Sequence, residues 1–371
     1  MNIPSQGKTL PSPAARPAER SEPRCGAGLE VRALLPSDTA SWEAFVQSHP
    51  RATLFHRLGW KRVLETTFGH RPHYLVATRA GGLRGILPLF LCRTLRGRLE
   101  LHSLPHSVYG GPVGLDDAAE QALVESAVAL AGARGATSLE LRNRHKNLLA
   151  LPPLDGCATF EKELPGSVGE VYKTFPKKAR EMINQARKRH KLEADFEGTL
   201  EEFYPLLASS YRKLGTPVFP RRFFAAMARR FPRDCSILLV RHGGRAVAGV
   251  LSLSFRGTMM PLYSGEAPGV HSLKANNFKY FRLMERAVEL GMRRFDFGRS
   301  RLSNAGVVDF KCNQGFEIEA LPYQRLGLAE PVEAAPSDPN TGIYPRLRSL
   351  WSRLPLPLAN AAGPALIRFF P

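Results

Sequence analysis

A chain that carries the same local pattern twice is constrained to fold as two copies of one unit, and this sequence does so. YLVATRAGGLRGILPLFL (74–91) and ILLVRHGGRAVAGVLSLSF (237–255) each hold a β-rich run, a Gly-Gly pair and a second β-rich run. That order predicts a hairpin turning at Gly81-Gly82 and another at Gly243-Gly244. Downstream, ALVESAVALAGARGATSLELR (122–142) is matched by YFRLMERAVELGMRRFDFGR (280–299). Both show a helical apolar period, a glycine near the helix end (Gly135, Gly291) and a short apolar strand. Leu139-Glu140-Leu141 then falls opposite Phe295-Asp296-Phe297. Order and spacing agree in both halves, so the unit is duplicated.

A length of 371 residues suits two domains with tails. The segment 1–27 is Pro-, Ala- and charge-rich and reads as a disordered leader. The first module is expected over 28–160, closing on the linker-like LPPLDG (151–156). The second is expected over 161–329, including a basic helix at 177–191, and 330–371 reads as a Pro-rich tail ending in a short amphipathic helix. Tyr344, Leu347, Leu350, Trp351 and Leu354 form that helix's apolar stripe, which docks either on an anionic membrane face or back onto the protein.

With 43% apolar and 23% charged residues, the chain has the balance of a globular protein. No apolar run is long enough to span a bilayer and the start lacks a secretory h-region, so the expected location is cytoplasmic, with peripheral contact at the inner membrane kept open. Five scattered cysteines without a Cys-x-x-Cys pair argue against a disulfide framework or a zinc site, and Pro105 between His102 and His106 spoils a helical metal pair; no metal is expected. A formal charge of +19 favours phosphate-bearing partners.

Several segments have residues suited to chemistry. In FDFGRS (295–300), strand alternation buries both Phe side chains on one face and turns Asp296 to the other, with Arg299 on the exit loop. A carboxylate there suits orienting an amine or a donor group. Tyr109-Gly110 belong to a loop, SVYGGPVG (107–114), whose glycines let backbone approach a ligand. Tyr263, Lys274 and Asn276 are pocket-lining candidates before a helix. His56 and Trp60 share a face if FHRLGWKRVLETTFG is helical throughout, which makes His56 a candidate contact. On the basic helix, Ala179, Met182, Ile183 and Ala186 repeat at helical spacing, leaving Lys177, Lys178, Arg180, Arg187 and Lys188 outward. Eight Lys or Arg to one Glu in 173–191 suggests phosphate contacts.

The hairpin–helix–strand unit resembles the GNAT acyltransferase fold. Doubled, and with a basic helix inserted, it resembles the Fem-type aminoacyl transferases. The segments LFHRLGWKRVLETTFGHRPHYLVA (54–77), SVYGGPVG (107–114), RRFDFGRSRLSNAGVVDFKCNQGF (293–316) and LWSRLPLPLANAAGPAL (350–366) resemble FemAB-related proteins of the PEP-CTERM/exosortase-associated type. The resemblance implies an α/β (α+β) fold of two tandem GNAT-like modules, each a mixed, mostly antiparallel sheet flanked by helices. It also implies that Phe310-Lys311 match the Phe-Lys pair that stabilises the transferred acyl group. Attack of an amine on an ester or thioester develops an oxyanion, and a fixed Lys311 ammonium would stabilise it. The Gly-x-Gly/Ala loop of acetyl-CoA-dependent relatives is absent from PLYSGEAPGVHSLKANNFKYF (261–281), where it would be expected to open a helix, which weighs against ordinary CoA binding.

The leading expectation is a transferase moving an aminoacyl or acyl group onto an amine of a cell-envelope or exopolysaccharide precursor, with Lys311 and Asp296 catalytic and no permanently bound cofactor. The donor is aminoacyl-tRNA or acyl-CoA. The alternatives are an acyl-CoA-dependent N-acyltransferase and a non-catalytic RNA- or membrane-binding adaptor. Partners are expected to bear phosphate (tRNA, CoA, or a nucleotide- or lipid-linked sugar), and DNA is not among them.

Overall fold

The computed structural model describes residues 28–154, 156–328 and 344–371. The expected leader and most of the Pro-rich stretch after 329 lie outside the described residues. Module 1 runs through β1 (Leu29–Ala33), α1 (Thr39–Ser48), α2 (Leu58–Phe68), β2 (Arg71–Pro72), β3 (Leu75–Arg79), β4 (Gly82–Leu87), β5 (Phe90–Arg93), β6 (Leu99–His102), β7 (Val113–Gly114), α3 (Asp117–Ala133) and β8 (Ser138–Leu141). Module 2 follows with β9 (Cys157–Glu163), α4 (Val168–Val171), α5 (Lys177–Asn184), β10 (Glu193–Asp195), α6 (Leu200–Lys213), α7 (Arg221–Arg230), β11 (Cys235–His242), β12 (Arg245–Phe255), β13 (Thr258–Glu266), α8 (Ala275–Glu289), β14 (Arg294–Asp296), β15 (Ser300–Arg301), α9 (Ala305–Cys312) and β16 (Glu317–Ala320). Then come β17 (Gln324–Gly327), α10 (Tyr344–Arg353) and α11 (Leu356–Leu366).

Both expected hairpins form. Arg79 pairs with Gly82 and His242 with Arg245. Gly81 (φ 76°), Gly243 (φ 55°) and Gly244 (φ 78°) take the left-handed conformations these turns need, which side chains with a Cβ resist. Each module's long helix then returns the chain to a strand that pairs in parallel: β8 beside β6, β14 beside β13. The other pairings are antiparallel. The fold is thus a mixed, mostly antiparallel α/β arrangement of GNAT-like form. Module 2 holds one eight-stranded sheet. In module 1, Pro88 and the loop 103–112 break the corresponding strands, and the strands divide into sheets of four and five.

The module boundary departs from the expected 160. β9 lies inside the second sheet, paired with β14, β15 and β16, so that module begins at Cys157. β17 crosses back to pair with β8 of the first module. Sequence order could not show this, because strand membership depends on nonlocal pairing. α2 and α7, equivalent helices of the repeat, pack against each other; Phe231 sits so close to Gly59 that a Cβ there would lie 2.9 Å from its ring. A single apolar cluster, including Trp42, Phe55, Trp60, Phe223, Phe231 and Tyr263, spans both modules. Each such side chain contributes about 1.5–3 kcal/mol on burial, so the modules are fused rather than tethered.

Candidate functional site

Asp296 ends β14 on the side of the sheet facing module 1. It is buried, and its carboxylate accepts from Tyr109 Oη (2.9 Å), Thr159 Oγ1 (3.0 Å) and the Gly298 N–H (2.6 Å). Tyr109 Oη and Thr159 Oγ1 are themselves 2.7 Å apart. The three oxygen-to-oxygen contacts have only two hydroxyl hydrogens between them while Asp296 is ionised. A proton on Asp296 completes the ring. Burial and the nearby Glu161 charge push this carboxyl up to about 6, against the pull of the Gly298 N–H, Tyr109 and Arg144.

Arg144, from module 1, ion-pairs with Glu161 (2.7 Å) and Glu319 (2.9 Å), and its guanidinium lies 5.2 Å over the Tyr109 ring. The module junction is therefore a polar seam in which Tyr109 and Arg144 from one side meet Asp296, Thr159, Glu161 and Glu319 from the other. Thr159 and Glu161 alternate along β9 with Phe160 and Lys162, which are packed toward module 2's own core. That alternation in CATFEKE was the sequence signal for Thr159 and Glu161; for Arg144, just past β8, there was none.

Lys311 approaches from the opposite face of the sheet. α9 directs its ammonium over Phe160 (4.6 Å) and Phe297 (5.1 Å), where it donates to Ser300 Oγ (2.7 Å) and to the carbonyls of Phe297 (3.3 Å) and Gly298 (3.5 Å). These partners are neutral. Burial lowers the amine to about 8, while the Asp296 charge works the other way. Asp296 and Lys311 thus flank the point where β14 leaves the sheet, one from each side, and do not share one open pocket.

An opening of about 340 Å³ lies between α5, the start of α8 and α9. Lys178, Met182, His271, Lys274, Asn276 and Phe310 contribute to its wall. Lys274 is the N-cap of α8 at φ 57°, without a side-chain cap or an acidic residue in the first turn, so the helix's first amides are not capped by a side chain of its own. The preceding Val270–Leu273 forms a 3₁₀ turn where a glycine loop would hold pyrophosphate. Beneath it Asn276 donates to Glu266 (2.9 Å) and accepts from the fully buried Lys279 (2.6 Å), which also donates to Ser264 (2.6 Å). Burial lowers the Lys279 amine to about 7. Lys178, Lys274, Asn276 and Phe310 thus meet in one cavity.

Other expected residues are placed differently. His56 precedes α2 in a 3₁₀ turn and so does not share a helix with Trp60. Its Nδ1 accepts from the Thr53 N–H (3.1 Å) and its Nε2 donates to Gly111 O (3.0 Å), so the imidazole fastens the 103–112 loop, and burial lowers it to about 4. Gly110 packs against its own module: a Cβ would lie 2.6 Å from Ser103 O, and its N–H donates to Arg142 O (3.1 Å). The space beside it is about 20 Å³, room for roughly one water. Tyr263 is buried among Phe219, Phe223 and Phe224 and does not line the cavity between α5, α8 and α9. Arg299 keeps solvent access beyond the end of β14 and is absent from the cavity wall.

The basic helix ends at Asn184 and continues as a π-turn, Gln185–Arg189, rather than running to 191. Its Ala179, Ile183 and Ala186 are buried as the spacing predicts, and Met182 is half-buried. Lys177, Arg187 and Lys188 are exposed, and Arg180 is half-buried with its guanidinium 5.8 Å over Tyr172. Of the five expected anion contacts, only Lys178 lines the cavity.

Residues 173–311 match the family model of the acetyltransferase (GNAT) domain, so module 2 is of GNAT type. Among solved structures, FemX is similar over 82% of this chain and 98% of its own, with 14% identity and a TM-score of 0.62. A conserved protein of unknown function from Bacteroides thetaiotaomicron VPI-5482 is similar over 81% of this chain and 99% of its own, with 12% identity and a TM-score of 0.52. These likenesses carry the two-module fold. No curated protein matches the chain.

Proposed function

We propose that the chain is an acyltransferase that moves an aminoacyl or acyl group from a phosphate-bearing donor onto an amine of a cell-envelope or exopolysaccharide precursor, in the manner of the Fem-type and PEP-CTERM-associated proteins its sequence resembles. The observation that carries this reading is Lys311: a desolvated ammonium, bonded to neutral acceptors, one residue from Phe310 on the wall of the 340 Å³ cavity. Lys178, Lys274 and the uncapped start of α8 suit the donor's phosphates. The amine nitrogen attacks the acyl carbonyl, Lys311 stabilises the oxyanion, and collapse expels the donor's alcohol or thiol while the amine gives up its proton. In this reading Asp296 is a positioning residue, since its lone pairs hold Tyr109 and Thr159.

The match of 173–311 to an acetyltransferase family favours a second reading, an acyl-CoA-dependent N-acyltransferase. Calorimetry of the full chain with acyl-CoA and with aminoacyl-tRNA separates them: binding of charged tRNA alone supports the first and binding of CoA alone the second. Mass spectrometry of envelope and exopolysaccharide precursors from cells with and without the protein tests the acceptor; identical spectra would sink the proposal.

A further inference from the structure

The two C-terminal helices present a surface that the site does not use. α10 is fastened to α6: Arg212 donates to Ser352 O (3.1 Å) and Leu354 O (3.2 Å), and Arg348 donates to Leu214 O (3.2 Å). These bonds turn the Arg348 and Ser352 side of the helix inward. Leu347 and Leu350 are left 48% and 63% exposed, with Arg346 and Arg353 also exposed.

α11 packs through Ala359 and Gly363, where a Cβ on Gly363 would lie 3.0 Å from Val218 N, and the chain after it through Ile367. The opposite stripe of α11, Leu358, Ala361, Ala362 and Ala365, is exposed and wholly apolar. Leu358 is 57% exposed, and Phe370, beyond the helix, 42%. From Leu354 to Ile367 there is no charged residue, and from 344 to 371 there is no acidic one, whereas Arg346, Arg348, Arg353 and Arg368 all fall there.

An apolar helix face flanked by cations alone matches one kind of surface. We propose that α10 and α11 dock the protein on an anionic lipid bilayer. Leu347, Leu350, Leu358 and Phe370 enter the boundary between headgroups and acyl chains, and Arg346, Arg353 and Arg368 meet lipid phosphates. No helix of the described residues is long and apolar enough to cross a membrane, so this is contact in the plane of the interface. A second copy of the chain is the poorer occupant: a two-fold pairing would set this cationic face against an identical one, with no acidic side chain in 344–371 to meet its arginines. The position has a consequence for the cavity. Ser210 on α6 accepts from the N–H of Glu266 (2.8 Å), a cavity-wall residue, and Arg212 and Leu214, about one turn further along, hold α10. Docking would therefore bring the cavity wall close to lipid-linked substrates, although the docking proposal stands independently of the site's chemistry.

Flotation of the full chain with vesicles tests it. The protein should float with equimolar phosphatidylglycerol and phosphatidylcholine, and about 10-fold more weakly with phosphatidylcholine alone. Leu350→Glu with Leu358→Glu, both at exposed positions, should weaken binding to the anionic vesicles by about 10-fold or more at unchanged melting temperature. Lys177→Glu with Arg187→Glu, on the basic helix of module 2, should change it less than about 3-fold. The proposal is overturned if the wild-type chain stays unbound, if the leucine variant binds equally well, or if only the basic-helix variant loses binding. It is also overturned if light scattering finds a wild-type dimer that the leucine variant splits, which would assign the face to a second copy.

Discussion

Glu140 and Asp296 occupy corresponding places in the two modules, each near the end of the strand that follows the long helix, and their surroundings are opposite. Glu140 is met by Arg142 (2.9 Å) and His102 (3.7 Å) from its own module. Burial opposes its charge, but the Arg142 guanidinium and His102 together hold it well below the usual carboxylate range. Asp296 has hydroxyls and one amide as direct partners and is pushed up. The helix starts differ in the same sense. The α3 start is closed by Asp116, which accepts from the Ala119 N–H (2.8 Å), with Asp117 and Glu120 in the first turn. The α8 start has Lys274 and no acidic residue in its own first turn, the carboxylate beside it being Glu266 of β13, which Asn276 meets (2.9 Å). Module 1 has neutralised internally the features that module 2 leaves open, which argues that one copy became scaffold while the other kept a site.

The comparison breaks most sharply at Lys311, which has no counterpart paired to β8. Lys311→Ala should lower acyl transfer by about 10²–10³-fold at unchanged circular dichroism, measured with a labelled donor. In the wild type, activity should fall above about pH 8 as the ammonium deprotonates, and Lys311→Arg should move that fall upward. A variant that transfers normally would return module 2 to a binding role.

Next in size, Glu140→Gln should destabilise the protein by about 3–5 kcal/mol in urea titrations, because buried Arg142 loses its counter-charge. Asp296→Asn should cost less, and the pH dependences should have opposite signs. Glu140, held low when folded, contributes stability above the ordinary carboxylate range that is lost as pH falls. Asp296, held near 6, contributes stability at low pH that is lost as pH rises through about 6, and the Asn variant should flatten that decline. Equal pH profiles for the two variants would refute the contrast.

Smaller effects sharpen the reading of the helix starts. Lys178→Glu with Lys274→Glu should raise the donor KM about 10-fold with little change in kcat, and more so at low salt. Lys177→Glu with Arg187→Glu, outside the cavity, should change it less than about 2-fold. Tyr109→Phe, which removes the hydroxyl's contacts with both Asp296 and Thr159, should cost about 1–3 kcal/mol of stability.

Much of this was legible in the residues. The Gly-Gly turns, the apolar periods of α3 and α8, and the inward stripe of the basic helix are local patterns, and local patterns report helix faces and hairpins directly. Phe310, Lys274, Asn276 and Lys178 stand out in the sequence separately, for different reasons, and only the packing of α5, α8 and α9 brings them to one cavity wall. What local patterns could not show was nonlocal. His56 read as a helical contact because nothing in the sequence shows that Thr53 and Gly111 occupy both ring nitrogens, and Tyr263 because the aromatic cluster around it comes from the segment 219–224.

By itself, then, the sequence determined a duplicated α/β unit with a strongly basic surface and a second copy richer in chemistry. Only the tertiary structure decided that β9 and β17 exchange their places across the module boundary, that Arg144 of one copy faces Asp296 of the other across the seam, and that Lys311 comes to the strand end from behind. The physical reason is that periodicity encodes which face of an element is apolar, whereas the partner on that face is chosen by packing and pairing between segments far apart in the chain.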